Sequence, residues 1–142
     1  MNNRDFPKGI IAGEDGSLTF GNFKTKYKIK VDDFEHKGDL YSLRAHDVVT
    51  RLEKNGELLL EAISGAYFVD FALEDADGCS FDVFAKENIQ ITLSLSPDAL
   101  YNIVIDGGEA IPATASRSGK VSFGVELAEG ASKKIVVRRS DD

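Results

Sequence analysis

The dipeptide Asn55-Gly56 lies between two arms that carry apolar residues, within the segment from Val48 to Ala62. A two-residue hairpin turn of type I′ requires a positive φ at both central positions. Asn tolerates that conformation, and Gly has no Cβ to oppose it. The segment is therefore predicted to form a β-hairpin.

The same turn predicts which residues face each other across the hairpin. In an antiparallel pair, directly opposite side chains touch, so the register follows by counting outward from the turn. The predicted pairs are Lys54 with Glu57, Glu53 with Leu58, and Leu52 with Leu59. The charged pair closes the turn, and the leucine pair lies where a second sheet can cover it.

Short segments of alternating apolar and polar residues, separated by turn residues, continue along the chain. No stretch of about 11 residues keeps the apolar spacing of an amphipathic helix. The predicted strands are 17–20, 26–31, 40–45, 48–54, 57–62, 67–73, 80–84, 89–95, 101–105, 120–127 and 133–138. This pattern predicts an all-β fold, a single antiparallel β-sandwich of jelly-roll or immunoglobulin-like type with about ten strands.

A chain of 142 residues is long enough for one domain with its own hydrophobic core. We expect residues 1–16 to be a flexible or irregular arm, 17–138 to be the sandwich, and 139–142 to be a C-terminal tail. Between Lys24 and Val31, four lysines alternate with other residues. A strand with lysines on its outer face is typical of a sheet edge, so an edge strand is predicted here.

Composition excludes several classes of partner. The net charge of −7 argues against nucleic acid, which needs a clustered cationic surface. No apolar run reaches about 18 residues, so no membrane span is predicted. The N-terminal residues lack the apolar stretch of a secretory signal, which predicts a cytoplasmic protein.

Candidate chemistry is sparse. The segment from Asp32 to Asp39 is acidic and contains His36, but its spacing does not match a calcium-binding loop, and a solvated acidic connection is favoured. His46-Asp47 has no nucleophile motif near it. Asp75-Ala-Asp-Gly78 is similar to a calcium-loop fragment, and an ordinary polar turn explains it. Cys79, the only cysteine, is predicted to be a small buried residue.

No catalytic residue, metal ligand or cofactor site is therefore predicted. Tyr41 and Tyr67 are the candidates for stacking against a sugar ring, because Trp is absent. The alternative for each tyrosine is a place in the core with its hydroxyl at the rim. A small glycosidase with a pair of carboxylates also stays open, since 24 acidic residues always permit such a pair.

Several segments together resemble a known group of proteins. They are Gly16-Ser-Leu-Thr-Phe-Gly21, Asp33-Phe-Glu35, Gly38-Asp-Leu-Tyr41, Thr50 through Gly56, Glu61, Ile89-Gln-Ile-Thr-Leu93, Tyr101, Ile105-Asp-Gly107 and Gly119-Lys-Val-Ser-Phe123. The group consists of short, β-rich bacterial proteins from anaerobic Gram-positive genomes, often labelled endosialidase-like. The shared residues belong to turns and core positions, so the resemblance implies an activity label but assigns no active-site residue.

The C-terminal part also resembles accessory β-sandwich modules attached to carbohydrate-active enzymes. Tyr101-Asn-Ile-Val-Ile-Asp-Gly107, a glycine-led strand from Gly119 to Val125, and the final apolar strand around Val136 fit their outline. This resemblance implies a sandwich fold and, by analogy, contact with glycans.

The leading hypothesis is a non-catalytic structural or protein-interaction module that works through its surface. Self-association is expected, because a domain with many strands has sheet edges to manage. The alternatives are a carbohydrate-binding module and a small carbohydrate-active enzyme of the endosialidase-like kind.

Overall fold

The protein is described by a computed structural model covering residues 9–74 and 77–140. Over these residues it contains thirteen β-strands. The strands are β1 (Ile11–Ala12), β2 (Leu18–Gly21), β3 (Ile29–His36), β4 (Asp39–Ala45), β5 (Val49–Lys54), β6 (Glu57–Ile63), β7 (Tyr67–Leu73), β8 (Gly78–Phe84), β9 (Ile89–Ser94), β10 (Leu100–Ile105), β11 (Ile111–Thr114), β12 (Lys120–Val125) and β13 (Ser132–Arg139).

The strands form two open antiparallel sheets. One has seven strands in the order β1-β2-β7-β8-β13-β10-β11, and the other has six in the order β12-β9-β6-β5-β4-β3. The predicted all-β, antiparallel sandwich is confirmed, with thirteen strands rather than about ten. Each predicted strand overlaps an observed one, and the additional strands β1 and β11 are too short to give an alternating signal.

Some residues of the predicted domain division, and half of one predicted turn, fall outside the described residues. These parts are residues 1–8 of the arm, the 75–76 half of the Asp75–Gly78 turn, and residues 141–142 of the tail. Within the described part of the N-terminal arm, β1 pairs with β2. At the other end of the chain, β13 extends through Arg139, the first residue of the predicted tail. No helix in the described residues is long and apolar enough to cross a bilayer.

The core lies between the inward faces of the two sheets. In the seven-stranded sheet, the rings of Phe20 and Phe68 stack with their centroids 5.3 Å apart, and Phe81 meets Phe68 edge-on at 5.3 Å. Such ring pairs stabilise a core beyond the apolar area that they bury. The six-stranded sheet contributes aliphatic side chains that are fully buried: Leu43, Leu52, Leu60, Ile91 and Leu93.

The Asn55-Gly56 turn forms as predicted, with φ values of 53° and 84°. Lys54 pairs with Glu57 and Glu53 with Leu58, but Leu52 pairs with Leu60 and not with Leu59. The predicted Leu52–Leu59 pair is therefore wrong. A β-bulge places two residues of β6 opposite one of β5, and both Leu59 and Leu60 are consequently buried.

The edge strand predicted from the lysines is confirmed, because β3 is the last strand of the six-stranded sheet. Its position differs from the predicted 26–31: β3 starts at Ile29 and continues to His36. The connection to β4 is a second tight turn, Lys37-Gly38, with φ values of 53° and 85°. The segment expected to be an acidic loop is therefore mostly paired strand.

A buried hydroxyl connects the two sheets. Thr50 of β5 is fully buried, and its Oγ1 lies 2.9 Å from the Ala66 carbonyl oxygen and 3.1 Å from the Ala66 N–H nitrogen. Ala66 directly precedes β7 of the opposite sheet. A buried backbone group without a partner destabilises a fold. Thr50 provides a partner for the N–H and the carbonyl of Ala66, where the chain crosses between the sheets.

The bulge in β6 yields a prediction about stability. We expect Leu60→Ala to lower the free energy of unfolding by about 2–5 kcal/mol, because the side chain is fully buried. The matched substitution Leu58→Ala, at a half-buried position, should cost about 1 kcal/mol or less. Urea unfolding of both variants tests this, and equal costs would contradict the observed register.

Candidate functional site

The two tyrosines predicted from the sequence lie in different sheets. Tyr41 belongs to β4 and is 5% exposed, with its ring edge-on to His36 at a centroid distance of 6.0 Å. Tyr67 belongs to β7 and is 8% exposed, with its ring tilted against Phe84 at 5.8 Å. Neither ring presents an open face, and only Tyr41 lines a groove described below.

That groove, here called the end groove, has a volume of about 300 Å³ and lies beside the Lys37-Gly38 turn. Its lining is mostly polar and comes from both sheets: Gly16, Leu18, His36, Lys37, Asp39, Tyr41, Lys54, Phe71 and Leu73. The structure therefore brings Tyr41 together with His36 and Asp39, two residues that the sequence analysis placed in the acidic segment.

Polar groups of the end groove are held by their neighbours. His36 Nε2 lies 2.9 Å from the Gly16 carbonyl oxygen, and the Lys54 ammonium lies 3.7 Å from the Asp39 carboxylate. The Asn55 amide donates a hydrogen bond of 2.9 Å to Asp39. This hydrogen bond, followed by the Lys54 charge, lowers the pKa of Asp39 from its usual value.

A second groove, of about 680 Å³, adjoins the first and shares Lys54 and Leu73 with it. It runs past the β6 bulge to Ser118 and Lys120, at the start of β12. Its walls combine leucine side chains with lysines and serines. The two grooves together form an open, mixed surface without a closed pocket.

Metal-ligating side chains do not cluster in the described residues. No group of three or more His, Cys, Asp or Glu side chains there is placed to hold a metal ion. His46 Nδ1 lies 3.5 Å from the Asp47 carboxylate and accepts the Val48 N–H. The whole of β4 separates His46 from His36 along the chain. Asp32 of the acidic segment pairs with Arg44 at 3.0 Å.

Cys79 is buried in the core, as the sequence predicted for a small apolar residue. Burial raises the pKa of its thiol to about 12, because the thiolate would lose its hydration. A thiol with this pKa stays protonated near neutral pH, whereas the nucleophilic form of cysteine is the thiolate.

The sheet edges differ in how they are protected against pairing with another chain. An exposed edge presents unpaired N–H and C=O groups, and proteins usually block it with short strands, prolines, charges or bulges. Strand β1 has two residues, and β11 contains Pro112. Strand β3 has a bulge at Asp32 and Asp33, where φ of Asp33 is 55°, and it also carries exposed charges.

Strand β12 has only one of these features, the charge of Lys120 at its first position. It pairs with β9 over six consecutive positions without a bulge, and its interior sequence, Val-Ser-Phe-Gly-Val, contains no charge and no proline. It is the terminal strand at the end of the six-stranded sheet opposite β3. Its free side is called the β12 edge from here on. Among the four terminal strands of the described sheets, β12 is the least protected.

The backbone geometry at Lys120 indicates which groups point to the β12 edge. The Lys120 N–H donates to Ser116 Oγ at 3.1 Å, and its carbonyl accepts the Ser116 N–H at 3.0 Å, so both groups face away from β9. Backbone groups alternate in direction along a strand. The N–H and C=O of Ser122 and Gly124, both exposed residues, therefore point to the β12 edge.

The sequence predicted the strand at 120–127 but not its exposed edge. A terminal position depends on the order of strands in the sheet, which no local pattern encodes. The sequence signal for an unprotected edge was the lack of Pro and of charged residues between Val121 and Val125. It distinguishes β12 from β3, which carries charges, and from β11, which contains a proline.

Comparison with family models, curated proteins and solved structures gives no match for this chain.

The contacts of Asp39 give a prediction about acid stability. Asn55→Gly keeps the positive φ but removes the amide, so the pKa of Asp39 should rise towards its usual value. A carboxyl with a lowered pKa stabilises the fold above its usual pKa, and this contribution is lost as the pH falls. Asn55→Gly should therefore reduce the dependence of the urea midpoint on pH between about 2 and 5.

NMR titration of the Asp39 carboxyl carbon measures the pKa change directly. Lys54→Met is the matched control, and it should change the pKa of Asp39 less, because the Asn55 hydrogen bond is the larger cause. An unchanged Asp39 titration in Asn55→Gly would contradict this assignment.

Proposed function

We propose that the protein is a non-catalytic interaction module that binds an extended segment of a protein partner along the β12 edge. The observation that carries this proposal is the exposed backbone of Ser122 and Gly124 on a regular terminal strand. Addition of a strand to a sheet edge gains affinity from main-chain hydrogen bonds and specificity from alternate side chains.

The two faces beside the β12 edge define the kind of segment that fits. On the outer face, the hydroxyls of Thr92 and Ser122 lie 2.9 Å apart, which makes a polar surface. On the inner face, Val121 and Val125 are buried, and Phe123 is packed against the core but partly exposed. A bound strand should therefore alternate polar and apolar residues, with an apolar side chain covering Phe123.

A library of random decapeptides tests this proposal, panned against sparsely immobilised protein. We expect enrichment of alternating peptides that lose at least about tenfold in affinity for Ser122→Pro. Proline removes the N–H that points to the β12 edge and leaves the ladder to β9 intact. Ser122→Ala keeps the N–H and is the matched control, so it should bind as the unmodified protein does.

Two outcomes would count against the proposal. One is a library that yields no binder, and the other is a set of binders whose affinity is the same for Ser122→Pro and the unmodified protein. Circular dichroism and thermal unfolding of the proline variant must first show an intact sheet. If that variant does not fold, Ser122→N-methyl-alanine, made by semisynthesis, removes the same N–H with less constraint on φ.

Carbohydrate binding is the second candidate function, and the end groove favours it. Asp39, Lys54 and His36 offer acceptors and donors for sugar hydroxyls beside Tyr41. The endosialidase-like resemblance and the accessory-module resemblance both point to glycans. Most glycoside hydrolases use two carboxylates at the bond to be cleaved. Among the described residues that line the end groove, Asp39 supplies the one carboxylate.

A glycan array tests this candidate. Glycan binding in the end groove should be lost in Asp39→Asn, because a carboxylate that accepts sugar hydroxyls is replaced by an amide. Ser122→Ala, outside the end groove, should leave glycan binding unchanged. An array without a specific signal would remove the candidate, and binding that survives Asp39→Asn would place the glycan elsewhere.

A further inference from the structure

We propose that one corner of the sandwich docks on the surface of a bilayer that contains anionic lipids. This corner, here called the basic corner, consists of the 22–28 loop before β3 and the 46–48 loop between β4 and β5. It lies at the β3 end of the six-stranded sheet, and the β12 edge lies at the other end. The inference goes beyond the proposed function, because it uses a different surface.

Protection of the sheet edge does not explain most lysines of the basic corner. Strand β3 starts at Ile29, so Lys24, Lys26 and Lys28 precede the strand, and all three are exposed. Charged residues protect an edge when they lie on the edge strand itself. Edge protection therefore accounts for Lys30, the fourth lysine of this segment, and leaves the three loop lysines without a structural reason.

The basic corner is positively charged in a protein whose net charge is −7. Its two loops contain three lysines and one acidic residue, Asp47, whose carboxylate lies 3.5 Å from His46. Lys26 and Lys28 take part in no ion pair of the described residues. Lysines close to an anionic bilayer are attracted to its negative surface potential. Charge complementarity therefore favours an anionic occupant.

Two apolar side chains project from the same corner. Tyr27 is 83% exposed, and Val48 is 58% exposed. The Asp47 N–H donates to the Thr25 carbonyl at 2.8 Å, which holds the two loops side by side. Binding to a bilayer interface gains from buried apolar area and from attraction to anionic lipids together. A tyrosine ring is suited to this interface, because its body is apolar and its hydroxyl stays hydrated.

The exposed ring of Tyr27 projects from an anchored loop. The side-chain oxygen of Asn22, a buried residue, accepts the Lys24 N–H at 2.7 Å and the Thr25 N–H at 3.1 Å. Phe23 is buried beneath the loop, and the Tyr27 N–H donates to Thr25 Oγ1 at 3.1 Å. Because these contacts fix the loop before binding, docking does not have to order it.

A bilayer fits the basic corner better than a nucleic acid does. Proteins that bind single strands stack successive bases on several aromatic rings. Tyr27 is the one aromatic residue among the exposed large apolar side chains of the described residues, since Phe23 of the same loop is buried. Val48 offers no ring for stacking, whereas it adds apolar area that a bilayer interface can bury. We therefore assign a lipid surface to this corner.

Co-sedimentation of the full chain with vesicles tests the proposal. Vesicles of equal parts phosphatidylserine and phosphatidylcholine should bind the protein, and vesicles of phosphatidylcholine alone should not. Lys26→Gln and Lys28→Gln should each lower the partition coefficient by about fivefold, the contribution of one lysine near an anionic surface. Lys37→Gln is the matched control, because this exposed lysine lies beyond the opposite end of β3 and should not affect binding.

The lack of Trp in the chain provides a second readout, which reports where the protein touches the bilayer. Tyr27→Trp introduces a single indole, and its fluorescence should shift to the blue with the anionic vesicles and be quenched by brominated lipid. Leu40→Trp is the matched control. Leu40 is also exposed, but it lies near the turn of the β3–β4 hairpin, far along the strands from Tyr27, so its emission should not change.

Failure to bind the anionic vesicles would overturn the proposal. Binding that is unchanged in Lys26→Gln and Lys28→Gln, or an unshifted Tyr27→Trp emission, would also overturn it. If oligothymidylate or polyglutamate binds through these lysines while the vesicles do not, the basic corner is a site for a soluble polyanion. Ser122→Pro, which blocks the β12 edge, should bind vesicles as the unmodified protein does, so the two proposals are tested separately.

Discussion

Packing of the two inward-facing surfaces against each other is the interaction on which the other features depend. The phenylalanines of β2, β7 and β8 form a continuous aromatic layer, and the leucines and isoleucines of β4, β5, β6 and β9 cover it from the other sheet. Burial of apolar surface on this scale is the main favourable contribution to folding. Two local features adjust the layers: the bulge at Leu59 buries both Leu59 and Leu60, and the buried hydroxyl of Thr50 bonds the backbone of Ala66.

Sequence-based prediction succeeded where the determining interactions are local. The Asn55-Gly56 turn, its first two cross-strand pairs and the strand segments all follow from neighbouring residues. The Leu52–Leu59 pair failed because the choice between Leu59 and Leu60 depends on packing against the opposite sheet. The acidic segment Asp32–His36 was misassigned as a loop for the same reason, since its pairing with β4 outweighs its low intrinsic preference for strands.

The candidate sites show the same division between local and non-local information. Tyr41 and Tyr67 were recognised as amphipathic residues, but their burial is decided by residues distant in sequence. The end groove joins β2, β3, β4, β5 and β7, and no spacing pattern in the chain predicts that junction. The β12 edge is defined by what lies next to it in the sheet. Its chemistry is that of the backbone, and a search for reactive side chains does not detect it.

The order of strands in the seven-stranded sheet has a consequence for how the chain folds during synthesis. Strand β13 is the last described strand, yet it lies in the middle of that sheet, between β8 and β10. A nascent chain that ends before Ser132 holds β1-β2-β7-β8 and β10-β11 as separate parts, whereas β3 to β6 and β9 can already pair. Completion of the core therefore waits for β13 to leave the ribosome, and contacts of such long range slow folding. Until then the aromatic layer has an open side, and apolar surface exposed in this way is prone to aggregation.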